Sequence, residues 1–93
     1  MRVRFTLTAL TELEEIFAHI AQHDRKAARR IVERVELIAA RLGEFPLIGH
    51  PADEPDVRIV PLGRFPYLVF YALAEGSVVI LHVRHAARLR PWE

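Results

Sequence analysis

The stretch from Ala28 to Leu42 constrains the fold more than any other part of the chain. Ala28, Ile31, Val32, Val35, Ile38, Ala39 and Leu42 recur at the three- and four-residue spacing of a single helix face, over about four turns. Asp24 stands where a capping side chain would accept an orphan backbone N–H, and Gly43 stands at the expected left-handed C′ position. A shorter stripe precedes it, with Leu13, Ile16, Phe17 and Ile20 on one face. Thr6 or Thr8 can cap this first helix, and Glu12, Glu14 and Glu15 fall in its early turns, where the dipole favours them. Only the QHD break separates the two stripes. They form an antiparallel hairpin, and each helix has one face to bury.

The rest of the chain supplies the surface for that face. RVRF alternates as a short strand, with Val3 and Phe5 opposite Arg2 and Arg4. EFPLIGHPADEPD reads as a loop from its prolines, glycine and acids. VRIVPL is a strand near an edge or a bulge because it contains Pro61. YLVFYAL is apolar on both faces, as a central strand should be. SVVILHV pairs with it across an EGS turn in which Gly76 takes a positive φ. The expected fold is α+β, β-α-α-β-β-β, a helical hairpin on a mainly antiparallel sheet.

At 93 residues and 52% hydrophobic, the chain is one domain, residues 1–93, able to bury a real core. It has no cysteine, so disulfides and thiolate chemistry are excluded, in keeping with a reducing cytosol. No segment reads as a signal peptide, and FPYLVFYALA is too short to span a bilayer. A cytoplasmic protein without membrane contact is expected.

The net charge of +1 conceals a segregation. Residues 43–56 hold Glu44, Asp53, Glu54 and Asp56 without any Lys or Arg, whereas residues 57–93 set five arginines against Glu75 and Glu93. One end is modestly basic. That suffices to steer an acidic partner but not to grip a long phosphate backbone, so direct nucleic-acid binding is not expected.

Candidate chemistry is sparse. His19 and His23 have metal-ligand spacing on a helix, but no third ligand stands in a fixed relation to them, and they read as an exposed helix end. His82 and His85 face opposite ways on a strand. Tyr67 and Tyr71 share a face with Val69 and Leu73, which suits core packing with wet hydroxyls better than catalysis. Arg58 and Arg64 bracket a PLG turn, and Arg84, His85, Arg88 and Arg90 follow the last strand. Turn and tail share one rim if the sheet forms as drawn. Arginines beside an aromatic suit anion or base-stacking contacts, and equally a solvated edge that resists aggregation. Neither a metal nor a cofactor is expected.

The order and spacing of LTELEEIFAHIA, DRKAARRIVERVELIAARLGEFPLIGHP, VRIVPLGRFPYLVFYAL and VVILHVRHAARLRPW resemble the RelE/ParE superfamily of type II toxin–antitoxin toxins. The resemblance covers essentially the whole chain and implies the same β-α-α-β-β-β fold. RelE-like members cut ribosome-bound mRNA with cationic residues on the sheet and a C-terminal tyrosine. At the matching positions this chain has Ile59, Pro61, Leu68, Ala86 and Trp92. Apart from the indole, these side chains offer no acid, base or anion-stabilising group. ParE-like members instead bind DNA gyrase. The resemblance therefore implies a ParE-like, non-enzymatic toxin with gyrase as target and a ParD-like antitoxin as partner. The alternatives are a RelE-like endonuclease or a non-toxic antitoxin-binding remnant. Arg64, His85, Arg88, Arg90 and Trp92 are expected to meet the target, and Leu10, Phe17 and Val57 to line the antitoxin groove.

Overall fold

The computed structural model describes residues 1–87. In chain order the elements are β1 (Arg2–Phe5), α1 (Leu7–Ala21), α2 (Arg25–Glu44), β2 (His50–Pro51), β3 (Val57–Pro61), β4 (Tyr67–Ala74) and β5 (Ser77–His85). The described strands form one sheet in the order β1-β5-β4-β3-β2, parallel only between β1 and β5. Both helices lie on one face. Between them and the sheet, Ala9, Ile31, Val35, Ile38 and Leu42 pack against Tyr67, Val69, Tyr71, Val78, Ile80 and Val83. Of the helical residues, Leu42 is fully buried, which stabilises the fold by about 2–3 kcal/mol relative to an exposed leucine.

Thr6 caps α1, with its hydroxyl accepting from the Ala9 N–H at 3.0 Å. The helix begins at Leu7, so no acidic residue lies in its first turn. Because the dipole acts only within that turn, the expected dipole role of Glu12, Glu14 and Glu15 does not hold. Phe17 also departs from the expected stripe. Leu13, Ile16 and Ile20 pack on the core, while Phe17 is 37% exposed.

Asp24 caps α2 as expected, accepting from the Ala27 N–H. Gly43 does not end the helix, which runs to Glu44 and is closed by the Phe45 N–H donating to the Arg41 carbonyl. The glycine serves a close approach instead. The N-terminal ammonium donates to the Gly43 carbonyl at 2.6 Å, and a Cβ at residue 43 would stand 3.0 Å from the Met1 carbonyl oxygen.

The expected loop after α2 contains β2, two residues that pair with β3 through His50↔Ile59 and Pro51↔Arg58. Two residues are too few to leave a readable alternation, and proline is tolerated there because β2 is an edge strand. The β4–β5 hairpin turns through Glu75 and Gly76, both at positive φ (51° and 76°), the type I′ geometry that matches strand twist. Beyond it, the β4–β5 register shifts where Leu81 adds one residue between the Tyr71↔Ile80 and Phe70↔His82 pairs. This bulge changes the strand's parity. Val78 and Ile80 point to the helices before it, and Val83 and His85 do so after it. His82 and Arg84 are left on the opposite face with Phe70 and Leu68.

Candidate functional site

The C-terminal end of β5 and the β3–β4 turn meet at one end of the sheet, as expected. The Ala86 N–H donates to the Pro66 carbonyl at 2.8 Å, and the His85 ring stands edge-on to Tyr67 with centroids 5.3 Å apart. The Ala87 N–H donates to His85 Nδ1 at 3.0 Å, so the neutral ring carries its proton on Nε2. His85 is therefore held by a ring neighbour and a backbone bond.

Beside it a cleft of about 710 Å³ opens between α1 and the ends of β4 and β5, lined by Glu15, Ile16, His19, Tyr67, Arg84 and His85 among others. At its wall Glu12 works as a hub. One carboxylate oxygen accepts from the Val83 N–H at 3.1 Å and contacts His82 Nδ1 at 3.1 Å, and the other accepts from Arg84 Nε at 2.8 Å. The cause lies in strand lengths. β1 pairs with β5 only as far as Ile80, so the outer edge of β5 beyond it has lost its strand partner. α1 replaces that partner, with the Thr6 N–H donating to the Ile80 carbonyl, the Thr6 hydroxyl to the Leu81 carbonyl, and Glu12 accepting from Val83. An exposed ladder edge invites pairing with other chains; here a helix covers it. The sequence reading missed Glu12. Its one signal is a position bordering the Ala9, Leu13, Ile16 stripe.

Arg64 belongs to a different cleft from His85. It lies against α2, where Arg30, Glu33, Arg34, Leu37, Arg64 and Phe65 line a space of about 220 Å³. The expected single arginine rim is thus divided. Arg84 is committed to Glu12, and Arg58 donates to the Leu47 and Gly49 carbonyls at 3.2 and 2.7 Å. Those two guanidinium groups bind the protein itself.

Arg58 shares this task with Tyr71. The Tyr71 hydroxyl donates to the Pro46 carbonyl at 2.8 Å and accepts from the Gly49 N–H at 2.9 Å. The expected wet hydroxyl is therefore a buried tether between β4 and the α2–β2 connection. Replacing it by Phe leaves the buried Gly49 N–H without a partner. We expect Tyr71→Phe to cost about 2 kcal/mol of unfolding free energy in urea titrations.

The remaining candidates separate. Leu10 and Phe17 are 42% and 37% exposed on α1, in line with Leu7 at 80%. Val57 does not join them. It is 9% exposed and pairs with Ala72 on the sheet face turned away from the helices, because Tyr71, next along β4, takes the core side. Arg88, Arg90 and Trp92 lie outside the described residues. His19 and His23 stand edge-on at 6.5 Å, and among the described residues no group of three His, Cys, Asp or Glu could hold a metal ion.

Residues 3–90 match the family model described as ParE toxin of the type II toxin–antitoxin system parDE. The chain belongs to the ParE toxin family. It is 38% identical to the Y4kP protein of Sinorhizobium fredii, over 97% of this chain and 93% of that one. It is 37% identical to toxin RelE2 of Caulobacter vibrioides, over 95% and 98%. Among solved structures it resembles the chromosomal ParDE system of P. aeruginosa (TM-score 0.70, 20% identity, 91% and 95% covered). It also resembles the isolated E. coli RelE toxin (TM-score 0.68, 18% identity, 98% and 89% covered). At these identities the structural likeness speaks for the fold. The chain is thus a toxin of the ParE/RelE family of type II toxin–antitoxin systems, and names of both branches occur among its relatives.

Proposed function

We propose that this ParE-family toxin inhibits DNA gyrase by binding it, is not itself a nuclease, and is neutralised by a cognate ParD-like antitoxin. One observation carries the reading. Ile59, Pro61 and Leu68, the positions where a RelE-type nuclease bears cations, lie in register on the same sheet face, with Pro61 opposite Leu68 and Ile59 opposite Phe70. That face offers hydrocarbon where phosphoryl transfer needs anion stabilisation and proton transfer. His82 and Arg84 on the same face are drawn to Glu12. Target recognition falls to the opposite resource, the basic end with Arg64 and His85 and the Arg88, Arg90 and Trp92 tail. Arginine and tryptophan are the residue types in which interface energy concentrates. The antitoxin is assigned to the exposed apolar stripe Leu7, Leu10 and Phe17 on α1, the shape that takes an amphipathic helix.

The purified toxin should block gyrase supercoiling and leave ribosome-bound mRNA intact. Arg88→Ala and Trp92→Ala, and deletion of Leu89 to Glu93, should keep the wild-type melting temperature and antitoxin binding while losing about tenfold or more in inhibition. Cleavage of mRNA on ribosomes with supercoiling untouched would refute the proposal. So would a Trp92→Ala protein that melts several degrees lower and drops the antitoxin, since the tail would then be part of the fold.

A further inference from the structure

We infer that the cleft between α2 and the β3–β4 turn is a docking site for an acidic, leucine-bearing peptide segment of a protein partner. Three arginines line it, Arg30 and Arg34 one helical turn apart on α2 and Arg64 on the turn. None of the three is ion-paired with a described carboxylate, whereas Arg84 is paired with Glu12. Glu33 lies on the lip of the cleft but within ion-pair distance of none of them. Three cations lining one cleft with no carboxylate partner among the described residues repel one another, and in water an anion relieves them.

The turn is shaped to keep the charges open. Gly63 sits at φ 76°, which a side chain rarely adopts, and the position of its missing Cβ is 3.5 Å from a terminal guanidinium nitrogen of Arg34. The backbone of the turn thus runs alongside the guanidinium instead of a side chain covering it. Contrast Arg58 and Arg84, whose guanidinium groups are spent on carbonyls and on Glu12. Among the described residues Arg58 and Arg84 are satisfied internally, and these three have no carboxylate partner.

The lining decides between a carboxylate and a phosphate backbone. Leu37 is 50% exposed and Phe65 half-buried at the same cleft. An apolar side chain between two carboxylates fits those two residues, and a sugar–phosphate chain does not use them. The Glu33 carboxylate on the lip opposes a continuous polyanion but tolerates spaced acids. Arg30 and Arg34 are four apart on a helix, which puts their Cβ atoms about 6 Å from one another. Acids four apart on a partner helix, or two apart on an extended segment, match that separation. Guanidinium groups suit such carboxylates because their planar fork binds both oxygens.

The inference shares only Arg64 with the gyrase reading, and Arg30 and Arg34 on α2 stand outside that reading. The probe is a fluorescein-labelled peptide of Leu with Glu and Asp, bound to the full-length toxin and followed by anisotropy. Its Gln/Asn counterpart and a single-stranded oligonucleotide of equal length run beside it. The acidic peptide should bind, weaken as salt rises, and lose about tenfold or more in affinity in the Arg30→Ala/Arg34→Ala/Arg64→Ala protein. Arg29→Ala, outside the cleft, should bind as the wild type does. All three cleft arginines are exposed or half-buried, and an unchanged melting temperature checks that the triple variant folds. Equal binding of the Gln/Asn peptide, no acidic-peptide binding at all, or affinity indifferent to the triple substitution would each overturn the inference. An oligonucleotide that binds in place of the peptide and is lost in the triple variant would assign the cleft to nucleic acid instead. Supercoiling assays on an Arg30→Ala/Arg34→Ala protein, which keeps Arg64, His85 and the tail, read the gyrase proposal independently: inhibition should stay at the wild-type level there while acidic-peptide affinity falls.

Discussion

A single added methyl group at Gly49 should remove about 3 kcal/mol from the stability of this toxin. The Cβ of an alanine there would lie 2.6 Å from a Tyr71 ring carbon, 2.7 Å from its hydroxyl oxygen and 3.0 Å from the Ile59 carbonyl. None of these can move cheaply. Tyr71 is fully buried in the core, its hydroxyl is tied to Pro46 and to residue 49 itself, and Ile59 belongs to β3. Overpacking of this kind costs about 1–3 kcal/mol, and breaking the Tyr71 tether adds a buried unsatisfied group of about the same size. In a domain this small, about 3 kcal/mol should lower the melting temperature by roughly 15 °C. Gly49→Ala in a Tyr71→Phe background should cost less than the two changes summed, because both remove the same hydrogen bond. A Gly49→Ala protein whose urea midpoint matches the wild type would show that the connection shifts freely, and the tether would lose its assigned importance.

Glu12→Ala is expected to be about as damaging as Tyr71→Phe. The carboxylate is 16% exposed and serves the Val83 N–H, Arg84 and His82 together. Hydrogen bonds to a charged group contribute about 1.5–3 kcal/mol each when buried. Partial exposure of Arg84 and His82 lets water replace part of this, leaving an expected loss of about 2 kcal/mol. Glu12→Gln should fall between the two, since its amide oxygen still accepts from Val83 while the charge facing Arg84 is gone. Amide hydrogen exchange gives the local reading. The Val83 N–H should exchange faster in Glu12→Ala by a larger factor than the N–H groups at the β4–β5 centre. Uniform acceleration across the sheet would mean that Glu12 contributes only global stability and does not seal the β5 edge.

What the sequence disclosed follows the length of each signal. The α2 stripe spans many turns, so its buried residues and its Asp24 cap were readable, and the doubly apolar β4 announced the centre of the sheet. The N-terminal strand kept its alternation, with Val3 and Phe5 inward. Features made by tertiary approach were hidden. Gly43 and Gly49 have similar local contexts to turn glycines, yet each is small because a distant backbone or ring comes within contact distance. The Leu81 bulge has no local marker, and it sets which of His82 and His85 shares the core face of β5 with Val83. The candidate site was legible as a set of residue types at one end of the sheet. Its division into two clefts was not, because Arg30 and Arg34 fall in the helical region 7–42, whose six basic and six acidic residues cancel when counted along the chain.

The parallel β1–β5 pair has a kinetic consequence. Thr6 and Leu81, joined by a hydrogen bond at the end of that pair, are 75 residues apart in the chain. β1 therefore waits for β5, and the helical hairpin has only part of its apolar bed until β4 and β5 have been made. Closing so long a loop before its contacts form is slow, in the range of mixed and β-rich topologies and not of helical bundles. The folded surface of this domain therefore cannot form before β5 has been made, however early β1 and the helices are available.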